Sequence, residues 1–261
     1  MADLAVELGF TALELSAGDL EERSPQEFGL ICRDRGLAVS CVNGGCNLAD
    51  PDESEFLQGL DQCEYYVDLA AELDCKIIMP IPGHADNVDD KPRAAARIAE
   101  GLAEAVAYAA QANVLVTLED FPNPLSPYGS IAEMAAMLGS VPGLRLTFDN
   151  GNWMLSGDDP LQALQALGQH VVNAHLKDWE VSPEQAGMQL SDGRYIRGGL
   201  HGQGLIDHKP ILAALQAMDY QGYLAFEYEG PMDHVLATRQ GMAYLRQALA
   251  ELGEAASGHQ E

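Results

Sequence analysis

The sequence predicts an α/β fold, a (β/α)8 barrel of parallel strands and helices that lacks its first strand. Short β-type runs alternate with amphipathic helical stretches along the chain, which is typical of βα units and a parallel sheet. The length of 261 residues matches one such barrel, which often runs to about 250 residues. We therefore predict a single barrel domain over residues 1–252 and a disordered tail over 253–261.

The predicted strands number seven, whereas a closed barrel needs eight. The chain opens in a helical stretch, ADLAVELG, which Gly9 closes, so no strand precedes this first helix. Either the start is truncated, or the barrel has a gap between its first and last strands. An open doubly wound sheet is the alternative, but SAGDLEE is a poor phosphate loop after the first strand. The predicted strands are 11–16, 38–43, 76–81, 114–119, 144–149, 171–176 and 223–228.

Helix signals fill the intervals between these strands. Ser24 and Pro25 have the side chains expected of a helix cap and a first helical turn. We expect no domain linker and no low-complexity segment. The other predicted helices cover roughly 53–73, 91–112, 130–139, 160–169, 208–218 and 233–252.

The charge of the chain limits the classes of partner. It has 40 acidic and 14 basic residues and a net charge of −26, which repels nucleic acid and anionic membranes. We expect no signal peptide, because the first residues have no basic segment followed by a long apolar one. We also expect no membrane span, because no apolar run approaches the ~18 residues that cross a bilayer. The 5 cysteines form no pair of C-x-x-C motifs, so we predict reduced thiols and a cytoplasmic location.

Four consecutive predicted strands each carry an acid or a histidine on one face, at or next to the C-terminal end. Side chains alternate faces along a strand, so Glu119, Asp149, His175 and Glu227 oppose an apolar face that suits packing on helices. In a barrel these four side chains would converge at the C-terminal mouth, where catalytic residues lie. Three carboxylates alone would repel one another, whereas a divalent cation removes that cost. The set suits Mn²⁺, Mg²⁺ or Co²⁺ and is compatible with Zn²⁺.

Each of these residues also has an ordinary structural explanation. Glu119 could begin a solvated loop, the sequence after Asp149 is a common turn, and His175 could be a hydrogen-bonded core residue. Glu229 has the same parity as Glu227 and competes with it. The four residues in phase on successive strands nevertheless favour a metal site over coincidence.

These stretches resemble the sugar phosphate isomerase/epimerase superfamily, whose members are xylose-isomerase-like TIM barrels. The resemblance lies in ELGFTALELS, VTLEDFP, LTFDNGNW, NAHLKDW, GQGLID and YQGYLAFEYEG. It implies one divalent metal, Mn²⁺ by preference, held by Glu119, Asp149, His175 and Glu227. It also implies that Glu119 and Glu227 act as the acid/base pair, moving a proton next to a carbonyl through a cis-enediolate. Asn152 stands where sugar epimerases often have a substrate-contacting histidine, which weakens the epimerase assignment.

Several further residues are candidates for binding a sugar or sugar phosphate. We expect a long loop over roughly 180–207 to fold over the mouth, with Arg197 or His201 touching the substrate, unless it is merely solvated. Lys177 shares the parity of His175 and would polarise a substrate oxygen. Glu14 is a further candidate, with a structural hydrogen bond as its alternative role. The candidate substrate-binding residues are therefore Asn152, Lys177, Arg197, His201, His84 and Glu14.

The leading prediction is a metal-dependent isomerase or epimerase of a small sugar or sugar phosphate. A dehydratase of a keto-cyclitol or related hydroxy-ketone, of the inosose or dehydroshikimate dehydratase type, is the alternative. A nuclease like endonuclease IV would need a three-zinc cluster and a basic groove, which the charge of −26 opposes. A non-catalytic degenerate barrel is the remaining possibility. Exposed strand edges at the gap would favour a homodimer.

Overall fold

A computed structural model describes residues 2–20, 24–121 and 123–257. Within these ranges, parallel strands form a seven-stranded sheet in the order β1-β2-β3-β4-β5-β6-β10. The sheet curves into a nearly closed barrel, which confirms the predicted fold class, and the described residues contain no strand before Ala12. Its strands are β1 (Ala12–Ser16), β2 (Ala38–Gly45), β3 (Ile77–Ile81), β4 (Leu115–Glu119), β5 (Arg145–Asp149), β6 (Val171–Leu176) and β10 (Leu224–Phe226).

Helices connect successive strands and begin where the sequence supplies caps. Ser24 forms a capping box with Glu27, and Ser130 forms one with Glu133. Each box satisfies two backbone N–H groups at the N-terminus of its helix. Pro25 occupies the first turn, as predicted. The helices are α1 (Ala2–Glu7), α2 (Pro25–Arg33), α3 (Glu53–Glu72), α4 (Lys91–Gln111), α5 (Ile131–Ser140), α6 (Pro160–Leu167), α7 (His208–Ala217) and α8 (His234–Ser257).

The apolar strand faces pack as the alternation predicts. Val116 and Leu118 of β4, Leu146 and Phe148 of β5, and Ala174 of β6 are all buried in the main hydrophobic core. The residues that alternate with them along each strand therefore point into the barrel. The register sets Asp149 opposite His175 and His175 opposite Ala225, so the C-terminal ends of β5, β6 and β10 lie level at one mouth.

The barrel has a gap between β1 and β10, the two edges of the sheet. A cavity of about 460 Å³ fills this gap, with α1 as part of its wall. Its lining runs from apolar side chains such as Leu8 and Phe226 to the carboxylates of Glu14 and Glu227. The gap therefore opens toward the same part of the barrel as the predicted metal ligands. The homodimer predicted from these exposed edges stays a prediction.

The segment predicted as a long loop over 180–207 contains secondary structure of its own. The strands β7 (Trp179–Val181), β8 (Met188–Gln189) and β9 (Tyr195–Gly198) form a small antiparallel sheet in the order β7-β9-β8. The prediction of a plain loop was wrong, because strands of two to four residues are too short to show a period.

The C-terminal helix α8 extends to Ser257, five residues beyond the predicted domain boundary at 252. Residues 258–261 lie outside the described residues, so the predicted tail over 253–261 stays a prediction. The five cysteines are free and buried, in agreement with the prediction of reduced thiols. Among the described helices, none combines the length and apolarity needed to cross a bilayer.

Candidate metal centre

The four predicted ligands meet at the C-terminal mouth of the barrel. Glu119 ends β4, Asp149 ends β5, His175 lies in β6 and Glu227 follows β10. His175 Nδ1 lies 2.7 Å from Glu119 Oε1 and 3.0 Å from Glu227 Oε1. One ligand atom each from Glu119, Asp149 and His175 lie within 4.8 Å of one another. The structure thus brings together the residues that strand parity selected.

The turn after β5 orients the carboxylate of Asp149. Its Oδ1 accepts hydrogen bonds from the backbone N–H groups of Gly151 (2.7 Å) and Asn152 (2.9 Å), as in an Asx turn. A Cβ on Gly151 would lie 2.6 Å from Nε1 of Trp179 and 2.7 Å from Cγ of Lys177. Only glycine therefore allows this turn to approach the β6 end so closely.

The second oxygen of Asp149 is available as a ligand. Asp149 Oδ2 is buried and accepts no hydrogen bond, although Nζ of Lys177 lies 3.1 Å away as an ion-pair partner. The ammonium group is within ion-pair distance of Oδ2 but makes no hydrogen bond to it, because distance alone does not align a donor. A buried carboxylate oxygen without a donor fits a cation site. Together with Glu119, His175 and Glu227, the donor set fits a single divalent cation.

The electrostatics of the site reflect three carboxylates in a confined space. Burial raises the pKa of Asp149 to about 7, although the charge of Lys177 acts to lower it. Burial also acts to raise the pKa of Glu227, but His175 and Lys177 lower it well below its ordinary value. His175 shows the opposite balance, because burial lowers its pKa while Glu14, Glu119 and Glu227 raise it well above 6.5.

Lys177 places a positive charge among these carboxylates. Its Nζ lies 2.9 Å from Glu227 Oε2 and 3.2 Å from Glu229 Oε1, and its side chain is only 7% exposed. Burial acts to lower the pKa of Lys177, but Asp149, Glu227 and other carboxylates raise it well above 10.5. Glu229 therefore contacts Lys177, whereas Glu227 contacts both Lys177 and His175. The choice of Glu227 over Glu229 as a ligand agrees with these contacts.

Glu14 also contacts the proposed metal ligands, through His175. Its Oε2 lies 3.1 Å from His175 Nε2, and its Oε1 accepts a hydrogen bond from Asn43 Nδ2 at 3.1 Å. Asn173 Nδ2 lies 3.2 Å from His175 Nε2. From the sequence, Glu14 is a candidate for substrate contact or for a structural hydrogen bond. The contacts agree with the second role.

The remaining predicted substrate residues have different surroundings. Asn152 is buried beside Asp149, and its Oδ1 has no hydrogen-bond partner. His84 is exposed and lines a cavity of about 460 Å³ beyond the ends of β2 and β3. Arg197 pairs with Glu180 at 2.6 Å across the small sheet.

His201 does not face the mouth as the sequence analysis expected. It is 2% exposed, and its Nε2 lies 2.8 Å from the carbonyl oxygen of Leu176. Its ring stacks on that of Phe226, with the two ring centroids 4.2 Å apart. Burial lowers the pKa of His201 to about 4. These contacts give no support to a substrate contact by His201, because they occupy the ring face and one nitrogen.

Two residues of the mouth were missed in the sequence analysis. Asp120 is fully buried beside Asp149, and burial raises its pKa well above 3.8. Asp178 accepts hydrogen bonds from the backbone N–H groups of Gly202, Gly204 and Ile206. It thereby holds the segment before α7 against the end of β6. The repeated glycines at 202 and 204 were a signal for this close approach.

Comparisons with known proteins relate the chain to one family. The family described as "Xylose isomerase-like TIM barrel" matches residues 2–248. Inosose dehydratase of Clostridium botulinum (strain Eklund 17B / Type B) is 31% identical over 106 residues, which is 36% of each chain. The match thus spans about a third of the length of that curated relative.

Solved structures share the fold over nearly the whole chain. L-ribulose 3-epimerase superposes with a TM-score of 0.79 at 18% identity and covers 99% of this chain and 91% of its own. The IOLI protein, solved with a binding zinc atom, gives a TM-score of 0.79 at 17% identity. The superposition covers 96% of this chain and 92% of the IOLI chain. Identities this low establish the fold and leave the reaction to be argued from the site.

Proposed function

This chain belongs to the xylose isomerase-like TIM barrel family, and from that premise we propose that it is a divalent-metal-dependent enzyme acting on a small hydroxy-ketone. Glu119, Asp149, His175 and Glu227 would hold the metal. The observation that carries this proposal is their convergence at the barrel mouth, with Nδ1 of His175 within 3.0 Å of both glutamates. The substrate class is a sugar, a sugar phosphate or a keto-cyclitol, and the net charge of −26 disfavours nucleic acid.

The two glutamates are the proposed proton-transfer groups. A divalent ion supplies Lewis-acid stabilisation of the negative charge that develops on the substrate oxygen. Glu119 and Glu227 come from β4 and from the end of β10, with β5 and β6 between them in the sheet. Carboxylates that approach a flat intermediate from different strands can remove a proton and return one at a different position or face.

Lys177 is proposed to keep the base ionised. Its ammonium group lies 2.9 Å from Glu227 Oε2, and its charge contributes to the lowered pKa of that carboxyl. A carboxylate that stays ionised at neutral pH can act as a base in every turnover. In addition, Lys177 would polarise a substrate oxygen, as its parity with His175 predicts.

Two reactions fit the same proton abstraction. In an isomerase or epimerase, one glutamate removes the proton beside the carbonyl and the other returns it. In a dehydratase, the β-hydroxyl leaves as water after the same first step. The 31% identity to an inosose dehydratase favours the second reaction, while the fold shared with L-ribulose 3-epimerase is compatible with the first. We propose Mn²⁺ as the metal, and the zinc-containing IOLI structure makes Zn²⁺ the first alternative.

Turnover in deuterated water separates these reactions. The protein, loaded with Mn²⁺ or Zn²⁺, is incubated with ketoses, ketose phosphates and keto-cyclitols. Deuterium incorporated next to the carbonyl without loss of water indicates an isomerase or epimerase, whereas new ultraviolet absorbance and release of water indicate a dehydratase. E119Q and E227Q should abolish either reaction, and E100Q serves as a matched control because Glu100 is exposed and pairs with Arg97 on α4. A folded, metal-loaded protein that neither incorporates deuterium into any of these substrates nor releases water from them would contradict the proposal.

A further inference from the structure

The imidazole ring of His175 has carboxylates at both of its nitrogens. On one side, Nδ1 lies 2.7 Å from Glu119 Oε1 and 3.0 Å from Glu227 Oε1. On the other side, Nε2 lies 3.1 Å from Glu14 Oε2. The two nitrogens point away from each other across the ring, so Glu14 is separated from the carboxylates that converge on Nδ1.

The carboxylate of Glu14 is held in place for this contact. Its side chain is 15% exposed, and Asn43 of the adjacent strand donates to Oε1 at 3.1 Å. Oε2 faces His175 Nε2 at 3.1 Å and also accepts a longer hydrogen bond from Asn173 Nδ2 at 3.4 Å. Glu14 belongs to β1, which does not neighbour β6 in the sheet, so the contact crosses the barrel interior.

Asn173 offers His175 a competing arrangement. Its Nδ2 lies 3.2 Å from His175 Nε2 and, as an amide nitrogen, can only donate. If Asn173 donated to Nε2, the proton of a neutral ring would sit on Nδ1 and point at Glu119. That tautomer would withhold the Nδ1 lone pair from a metal. A carboxylate can only accept, so Glu14 favours the tautomer with the proton on Nε2.

We propose that Glu14 is a positioning residue for the metal site: it accepts the hydrogen bond from Nε2–H of His175 and so presents the Nδ1 lone pair to the cation. The inference rests on the metal site proposed above. Histidine ligands are commonly oriented in this way by a carboxylate on the second nitrogen, and loss of such a partner typically lowers metal affinity about 10–100-fold. Glu14 itself remains outside the ligand set, because His175 stands between it and Nδ1.

Zinc affinity tests this role without relying on turnover. Zn²⁺ is titrated into chelator-stripped wild type, E14A and E14Q in competition with a fluorescent chelator, with E100Q as the matched control. We expect E14A to bind about 10–100-fold more weakly. The zinc affinity of E14Q should lie between those of E14A and wild type. The single amide oxygen of glutamine can accept a hydrogen bond from His175 or from Asn43, but not from both. E100Q should match wild type.

Nitrogen-15 NMR of the zinc-loaded wild type reports the tautomer directly and does not depend on the folding of any variant. We expect a proton on Nε2 of His175 and zinc on Nδ1. Zinc on Nε2, or E14A with wild-type affinity, would overturn the role of Glu14 and leave the proposed function standing. A folded wild type that binds neither Zn²⁺ nor Mn²⁺ would overturn both.

Discussion

Nδ1 of His175 lies 2.7 Å from Oε1 of Glu119, although 56 residues separate them in the chain. Their strands, β6 and β4, do not pair, because β5 lies between them. The contact exists because the sheet curves, so inward-facing side chains at the strand ends approach the barrel axis. The candidate metal centre therefore depends on barrel curvature as well as on the residues themselves.

Metal affinity should rise with pH. In the metal-free protein, burial lowers the pKa of His175, but Glu14, Glu119 and Glu227 raise it well above 6.5. A cation must then displace the Nδ1 proton, so we expect affinity for Mn²⁺ to increase about tenfold per pH unit near pH 8. The increase should be steeper below pH 7, because the pKa of the ligand Asp149 is raised to about 7 and its proton must also leave. Isothermal titration at several pH values measures this slope. A flat profile would show that no proton leaves on binding.

Gly151 should be intolerant of a side chain. A Cβ there would lie 2.6 Å from Nε1 of Trp179 and 2.7 Å from Cγ of Lys177, so G151A should lower the free energy of unfolding by about 1–3 kcal/mol. G139A is the matched control, because a Cβ at this exposed position on α5 meets nothing within 4 Å. That control should be neutral or more stable by about 1 kcal/mol. Urea unfolding of both variants gives the comparison, and equal stabilities would contradict the close approach.

Loss of the Lys177 cation should destabilise the metal-free protein. K177M would leave Asp149 and Glu227 without their ammonium partner. We expect a loss of about 3 kcal/mol, as for one partner of a buried ion pair. K209M is the control, because the pair of Lys209 with Glu251 is exposed and should contribute less than about 1 kcal/mol. Thermal unfolding of chelator-stripped samples tests the difference, and similar shifts in the two variants would refute it.

His201 should make the protein less stable in mild acid. Burial lowers its pKa to about 4 in the folded state, whereas the unfolded chain has a pKa near 6.5. The unfolded state therefore binds the extra proton first, and stability falls as pH drops from about 6.5 to about 4. The loss amounts to about 3 kcal/mol.

The stability profile of H201Q should be flatter than that of the wild type, with the remaining slope due to His208, whose pKa burial also lowers. H234Q should keep the wild-type slope because His234 is exposed. Urea unfolding between pH 4 and 7 measures both profiles. If H201Q lost stability with the same slope as the wild type, the assignment to His201 would be wrong.

The sequence predicted the barrel strands and the inward-facing residues because both follow from local alternation. Glu119, Asp149 and His175 lie in phase on three successive strands, and the structure brings them together. The contact of Glu14 with His175 could not be foreseen, since it crosses the barrel between strands that do not pair. His201 was assigned to the mouth from its loop position, whereas stacking on Phe226 turns it into the core.

Native mass spectrometry can count the divalent cations that the four proposed ligands hold. Chelator-stripped protein is reloaded with Mn²⁺, desalted and weighed beside E119Q, H175A and the E100Q control. We expect one metal ion in wild type and E100Q, and none in the folded E119Q and H175A proteins. A folded wild type without metal, or variants that retain it, would contradict the four-ligand site.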